Sequence, residues 1–440
     1  MTSLSVHNRN TITDDGIRDL TKLKSLIVPL NITDNGLSKL TNLESLNLYR
    51  NRFVTDISLS KLTNLQFLNM SISSYVTSNL IRCLTKLTHL KISHCDNIGD
   101  SLSFTLNLKT LIVEGECINF NTSYIRRLKN LTILDLSYAA FTIYDQDIIN
   151  LINLTTLIIN ETSNITDLSL KTLTNLRKLS ITIILFHDEV DNNISDNSII
   201  KLTNLTYLNI EQSDNIGDKS ISKLLNLEYL TLGQAQKISN RGISKLINLK
   251  YLNLSGADKI GDAAFKDLTK LNELSLTDSY NNFKSFKNLS SLTELNFSEW
   301  WFKDENVVFL PNLKYLYNTS LLTDRGLVNL HNLELLSLKT LSKVSNNSVS
   351  KLTTLRGLTA NSLINNMTVQ KLTGLVNLNL CDNNLITDEG ISKLTNLVNL
   401  TVNAKITYDG IRNLPSLEFI HNNKLLETQL ENRRKLQTKC

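Results

Sequence analysis

The chain has 440 residues, among them 84 leucines and 56 asparagines against 3 prolines and 14 glycines, a usage that points to one short unit repeated many times rather than to about three ordinary domains. Its 46 basic and 41 acidic residues leave a net charge of +5, too weak a field to hold a polyanion, so nucleic acid is excluded as the expected principal partner. Five cysteines (Cys83, Cys95, Cys117, Cys381, Cys440) are odd in number, far apart and never spaced C-x-x-C, which argues against a disulfide framework and a zinc site and fits a reducing cytosol. No stretch reaches the ~18 apolar residues of a spanning helix, and the polar start MTSLSVHNRN lacks the apolar core of a signal peptide. A cytoplasmic chain that meets no membrane is therefore expected.

In chain order the first element is Leu4-Ser-Val6, a period-two alternation that reads as a strand. Ile12 lies eight positions after Leu4 just as Ile98 lies eight after Leu90, so the chain is expected to open in mid-repeat. An L-x-x-L core then recurs, with first leucines from Leu23, Leu43 and Leu65 through to Leu397 and Leu417, 19 copies at a mean spacing of 21.9 residues. The copy from Leu249 to Asp262 shows the unit: Leu252 and Leu254 face inward around Asn253, Ala257 turns the chain, Ile260 anchors the loop, and Asp262 caps the helix that follows. Ten copies keep such an Asp after Thr, Ser or Gly, as at Thr13-Asp14, Gly217-Asp218 and Thr387-Asp388. Six glycines (Gly16, Gly36, Gly242, Gly326, Gly390, Gly410) share one helix position, which suggests close backbone packing there rather than a phosphate loop.

One such unit cannot bury its leucines alone, so copies must stack, strands in parallel on one side and helices on the other. Helices are wider than the ~4.8 Å strand spacing, so the stack is expected to curve into a horseshoe with its sheet concave. The predicted fold is an α/β solenoid of about 19–20 short strands over residues 1–425, followed by a helical tail, 426–440, that serves as a terminal cap or a basic docking arm.

The segment Leu90-Lys-Ile92-Ser-His-Cys95-Asp-Asn-Ile98-Gly-Asp100 resembles the cysteine-containing subclass of leucine-rich repeats, best known from F-box proteins, the substrate receptors of cullin-based ubiquitin ligases. The general leucine-rich pattern covers roughly residues 4–425. At the named turn position only Cys95 is a cysteine; other copies hold Asn31, Asn51, Thr162, Ser213, Ala235, Ala257, Ser279 and Asn383, and between about 300 and 370 the position reads as Trp300, Leu321, Leu341 and Leu363. The resemblance implies a ubiquitin-ligase adaptor as partner. An F-box would precede the repeats, however, and a chain that opens in mid-repeat leaves no room for one. A catalytic domain behind the repeats is likewise not expected, because only about 20 residues follow Leu417.

The interval from Leu176 to Leu205 is 29 residues, long enough for residues 182–195 to project as a loop. His187 with Asp188, Glu189 and Asp191 has hard-metal chemistry, but adjacent residues on one flexible segment rarely converge on one ion, so neither a metal nor a cofactor is expected. No phosphate loop, G-x-S-x-G or H-E-x-x-H occurs, and the six histidines lie in different repeats, so no enzyme is expected. His89 and His94 with Lys91 read as polar sheet surface.

A partner would meet the outward residues of the strands. The third core position holds Tyr207, Tyr229 and Tyr251, then Glu273, Glu294 and Tyr315, with Tyr317 beside them and Trp301 at the rim, whereas Trp300 reads as core. Neighbouring columns add Asn209, Glu211, Asn253, Asp278, Asn296 and Glu299. Tyrosines supply large contact area at low entropic cost, so this concave patch is expected either to bind a protein of basic or polar surface or to stabilise the sheet by cross-strand stacking. The expected function is a non-enzymatic interaction scaffold, with a substrate receptor or decoy in ubiquitin ligation as the alternative. The Asn-, Lys- and Ile-rich usage resembles translation of an AT-rich genome, such as that of an amoeba, an intracellular bacterium or an amoeba-infecting giant virus, and in the last two cases the chain would work in a host cytosol.

Overall fold

The structure, a computed structural model, describes the chain except residues 1, 6–11, 29, 72–75, 95–104, 116, 118–119, 138, 140–141, 161–163, 183–193, 211–214, 234–235, 255, 277–282, 284–285, 298–302, 318–319 and 438–440. Cys95, Cys440, Glu211, Asp278, Glu299, Trp300, Trp301 and the loop around His187 therefore lie outside the described residues.

The chain falls into two compact units, residues 1–227 and 228–440. Each unit is a solenoid of parallel strands alternating with short helices, the leucine-rich repeat arrangement. The first unit holds ten described strands, from Ser3–Ser5 to Tyr207–Ile210, and the second ten more, from Tyr229–Leu232 to Phe419–His421. Registers are in phase leucine upon leucine: Leu4, Leu26 and Leu46 align in the first unit, and Leu230, Leu252, Leu274 and Leu295 in the second. Because side chains alternate with period two, this register sends every leucine of the column to the same face. Leu249, Leu252 and Leu254 are 0% exposed, as are Leu397 and Leu400, and each such burial contributes roughly 1.5–3 kcal/mol.

The helices are mostly single turns, too short to persist alone, so capping decides where they start. Thr33, Thr55 and Thr166 sit in extended backbone as N-caps, and their hydroxyls accept the N–H groups of Asn35, Ile57 and Leu168. The aspartate that follows was expected to cap its own helix. Its carboxylate instead reaches forward to the next copy. Asp34 accepts from Thr55 N at 2.9 Å, Thr55 Oγ1 at 2.6 Å, Ser58 N at 3.3 Å and Ser58 Oγ at 2.5 Å. Asp14 does the same to Thr33, Asp145 to Thr166 and Ser169, and Asp388 to Thr407. The reason is geometric: the carboxylate at the first helical residue points outward to the side on which the following copy stacks, where two backbone N–H groups lack partners.

The shared glycine position belongs to the same ladder. A Cβ built on Gly36 would fall 2.5 Å from Asp14 Oδ1, and one on Gly326 2.6 Å from Asp304 Oδ1. In copies with serine there, as at Ser58 and Ser348, the hydroxyl bonds the aspartate instead.

The turn position between about 300 and 370 is corrected. Leu321, Leu341 and Leu363 are 44%, 79% and 44% exposed, while Ser320, Ser342 and Asn361 are buried in their place. The copies opening at Leu313 and Leu355 are 20 residues long and the one opening at Leu333 is 22, and in all three the buried polar residue arrives at a shifted offset. Asn361 donates to Ser342 O at 3.0 Å, Asn383 to Ile364 O at 2.7 Å and Asn403 to Ile386 O at 3.0 Å. A closing helix, Lys424–Gln437, packs on the last strand and buries Leu426 and Leu430.

Candidate binding face

The outward positions of the strands in the second unit assemble the predicted patch. Tyr229 pairs with Tyr251, Tyr251 with Glu273, Glu273 with Glu294 and Glu294 with Tyr315. These side chains are held outward because the leucines between them, Leu230, Leu252, Leu274, Leu295 and Leu316, are at most 1% exposed. Tyr229 and Tyr251 stack with ring centroids 4.0 Å apart and planes 7° from parallel. Such stacking fixes both rings without a hydrophobic pocket around them. Burial of the Tyr251 phenol, followed by its hydrogen bond and proximity to the Tyr229 hydroxyl, pushes its pKa up to about 12.

Beside the stack the surface turns acidic. Burial, reinforced by the adjacent Glu294 carboxylate, raises the pKa of Glu273. Burial and the same Glu294 charge also raise the phenol of Tyr317. Asn296 Nδ2 donates to Glu294 Oε1 at 3.2 Å. The next column, Asn253, Ser275 and Asn296, is neutral.

Tyr207, expected to continue this column, belongs to the first unit, where it pairs with Lys178 and the lysine Nζ sits 4.5 Å from its ring centroid. Of the residues expected in the patch, the second unit therefore holds Tyr229, Tyr251, Glu273, Glu294, Tyr315 and Tyr317. Trp301 lies outside the described residues. Lys91 is engaged with Glu114 at 2.8 Å, and His89 Nδ1 lies 2.9 Å from Thr88 Oγ1. Among the described residues no group of three or more His, Cys, Asp or Glu could hold a metal ion. No described helix is long and apolar enough to cross a membrane.

Sequence reasoning missed a second ladder, built by the asparagine that precedes the first leucine in twelve of the 19 cores. Asn42, Asn64, Asn153, Asn226 and Asn396 each donate Nδ2 to a backbone carbonyl of the preceding copy at 2.9–3.0 Å. The recurring tripeptide Thr-Asn-Leu was the available signal. Along this edge of the second unit runs an open polar groove of about 960 Å³ lined by Asn312, Lys314, Asn332, Glu334, Arg356 and Asn396 among others. Lys314 and Glu334 close an ion pair across it at 2.8 Å.

Known proteins place this architecture. A family model described as Leucine Rich repeat matches residues 83–101, 201–225 and 373–394, and no curated protein matches the chain. Among solved structures, an internalin, InlF, from Listeria monocytogenes is 20% identical with a TM-score of 0.38, over 93% of this chain and 83% of its own. The functional domain of InlJ from Listeria monocytogenes, described as including a cysteine ladder, is 18% identical with a TM-score of 0.44, over 89% and 73%. A TLR13–ssRNA13 complex is 18% identical with a TM-score of 0.50, over 96% and 72%. The likeness to the last of these is one of fold: this chain has the solenoid of parallel strands and short helices that leucine-rich repeats form, and the matched segments are such repeats.

Proposed function

We propose that the chain is a non-enzymatic protein-interaction scaffold that docks a partner of basic or polar surface on the tyrosine-bearing sheet face of its second unit. The observation that carries this reading is the parallel stack of Tyr229 on Tyr251 at 4.0 Å next to Glu273 and Glu294. Rigid aromatic area held on strands loses little entropy on binding, which is why tyrosine concentrates at interface hot spots. The five cysteines, odd in number and never spaced C-x-x-C, suit work in a reducing cytosol.

The test is affinity capture with the full chain and with Tyr229→Ala/Tyr251→Ala, each assayed for stability in parallel. The double variant should lose the partner by at least about tenfold, as expected for hot-spot truncation, while remaining folded. Unchanged capture would remove the face from the function. Capture of a cullin adaptor by the wild-type chain would instead favour a receptor or decoy role in ubiquitin ligation.

A further inference from the structure

Among the described residues, the charges on the outward positions at and beside the second unit's first six strands are balanced except at one place. In the column beside the tyrosines, Glu228 pairs with Lys250 at 2.7 Å and Lys314 with Glu334 at 2.8 Å, leaving Asn272 and Thr293 between them neutral. The positions next to those two neutral residues are Glu273 and Glu294, directly in register at the ~4.8 Å strand spacing. Among the described residues neither carboxylate has a cation, because the two nearest lysines of the neighbouring column are already engaged. Tyrosines flank the acidic pair in register: Tyr251 on the Glu273 side and Tyr315 on the Glu294 side. One face of Tyr251 is covered by Tyr229, and the other looks toward Glu273. In the first unit a tyrosine at this same column position does take a cation on its ring, Lys178 over Tyr207 at 4.5 Å.

We infer that Glu273 and Glu294 seat an arginine or lysine side chain of an extended basic segment of the partner protein, with Tyr251 and Tyr315 as its flanks. The inference rests on the docking face proposed above and names what that face recognises. Two carboxylates at strand spacing match the fork of a guanidinium, and the tyrosine faces supply cation–π contacts. The neutral Ser275 and Asn296 beside them offer hydrogen bonds to the backbone of the segment.

The experiment uses the full chain and fluorescent peptides of equal length, alternating Arg-Ser, Lys-Ser or Glu-Ser, read by anisotropy. The Arg-Ser peptide should bind and the Glu-Ser peptide should not. Glu273→Gln/Glu294→Gln should weaken Arg-Ser binding about thirtyfold, two exposed pairs at the upper end of their usual worth. Glu305→Gln/Glu418→Gln removes the same charge from exposed sites outside the patch, frees no lysine beside it and should leave binding nearly unchanged. Equal losses in the two double variants, no loss in the first, or displacement of the peptide by calcium alone overturns the seat. Loss of partner capture in the tyrosine variant with retained capture in Glu273→Gln/Glu294→Gln would keep the docking face and discard the cation seat; retained capture in both would discard the face as well.

Discussion

Asp34 offers a direct measure of how neighbouring copies are fastened. Its carboxylate accepts four hydrogen bonds from Thr55 and Ser58 of the next copy. Burial works against its ionisation, but the Ser58 and Thr55 hydroxyls and backbone N–H groups together outweigh that and hold its pKa below the ordinary value. Asp34→Ala leaves two N–H groups and two hydroxyls without this acceptor and should cost about 3 kcal/mol, since bonds to a charged acceptor are worth ~1.5–3 kcal/mol but do not add. Asp34→Asn should cost only about 1–2 kcal/mol, because the chain already contains that solution. Asn366 accepts from Thr387 N and donates Nδ2 to Thr387 Oγ1 at 2.9 Å. The consequence is visible in the helix: Thr387 makes no side-chain cap, whereas Thr407, facing Asp388, does. An aspartate makes the threonine donate, which leaves the hydroxyl oxygen turned toward its own helix, while an asparagine takes that oxygen for itself.

The sign of the pH dependence follows. A carboxyl with a depressed folded pKa contributes stability that is complete above its unfolded value near 4 and is lost as pH falls through the folded value. Asp145, Asp167 and Asp324 are depressed in the same way, burial being outweighed by serine and threonine hydrogen bonds. Wild-type stability to urea, followed by circular dichroism, should therefore be flat from pH 7 to about pH 5 and fall below about pH 4, and Asp34→Asn should fall less steeply. Hydrogen exchange at the Thr55 and Ile57 amides would place the loss locally. Equal destabilisation by Ala and Asn, or an identical acid slope in Asp34→Asn, would refute the inter-copy ladder.

Three further outcomes are expected. Leu252→Ala, at a site with 0% exposure between Leu230 and Leu274, should cost about 2–5 kcal/mol in denaturant unfolding. Asn383→Ala strips two carbonyls, Asn361 O and Ile364 O, and the N–H groups of Leu385 and Ile386 and should cost about 3 kcal/mol or more by the same assay. Gly410→Ala drives a methyl group into the Asp388 side chain and should lower the thermal midpoint, whereas Gly410→Ala combined with Asp388→Ser should recover part of the loss.

The leucine lattice was legible without coordinates, because a period-two alternation repeated about every 22 residues admits one burial pattern, and Leu249, Leu252 and Leu254 are buried as read. The outward residues of each strand, Tyr229 and Glu273 among them, were legible for the same reason. The partner of a polar side chain was not. Asp34 looks local in sequence, yet its donors lie 21 and 24 residues ahead, a distance that stacking converts into contact. The turn position was not legible either: Leu341 lies at the surface and Ser342 in the interior although that copy keeps the usual 22-residue spacing, since the path of the turn backbone decides which side chain points inward.

Sequence by itself determined the repeat, the approximate strand count and the leucine core of the strands, because those depend on periodic apolar burial, which is additive and local. Only the tertiary structure decided that Tyr229 and Tyr251 stack face to face, that Tyr207 carries a lysine instead, and that Glu273 and Glu294 meet with no cation among the described residues. Hydrogen bonds, stacking and ion pairing are directional and short-ranged, so they depend on how one copy is set against the next rather than on the composition of either.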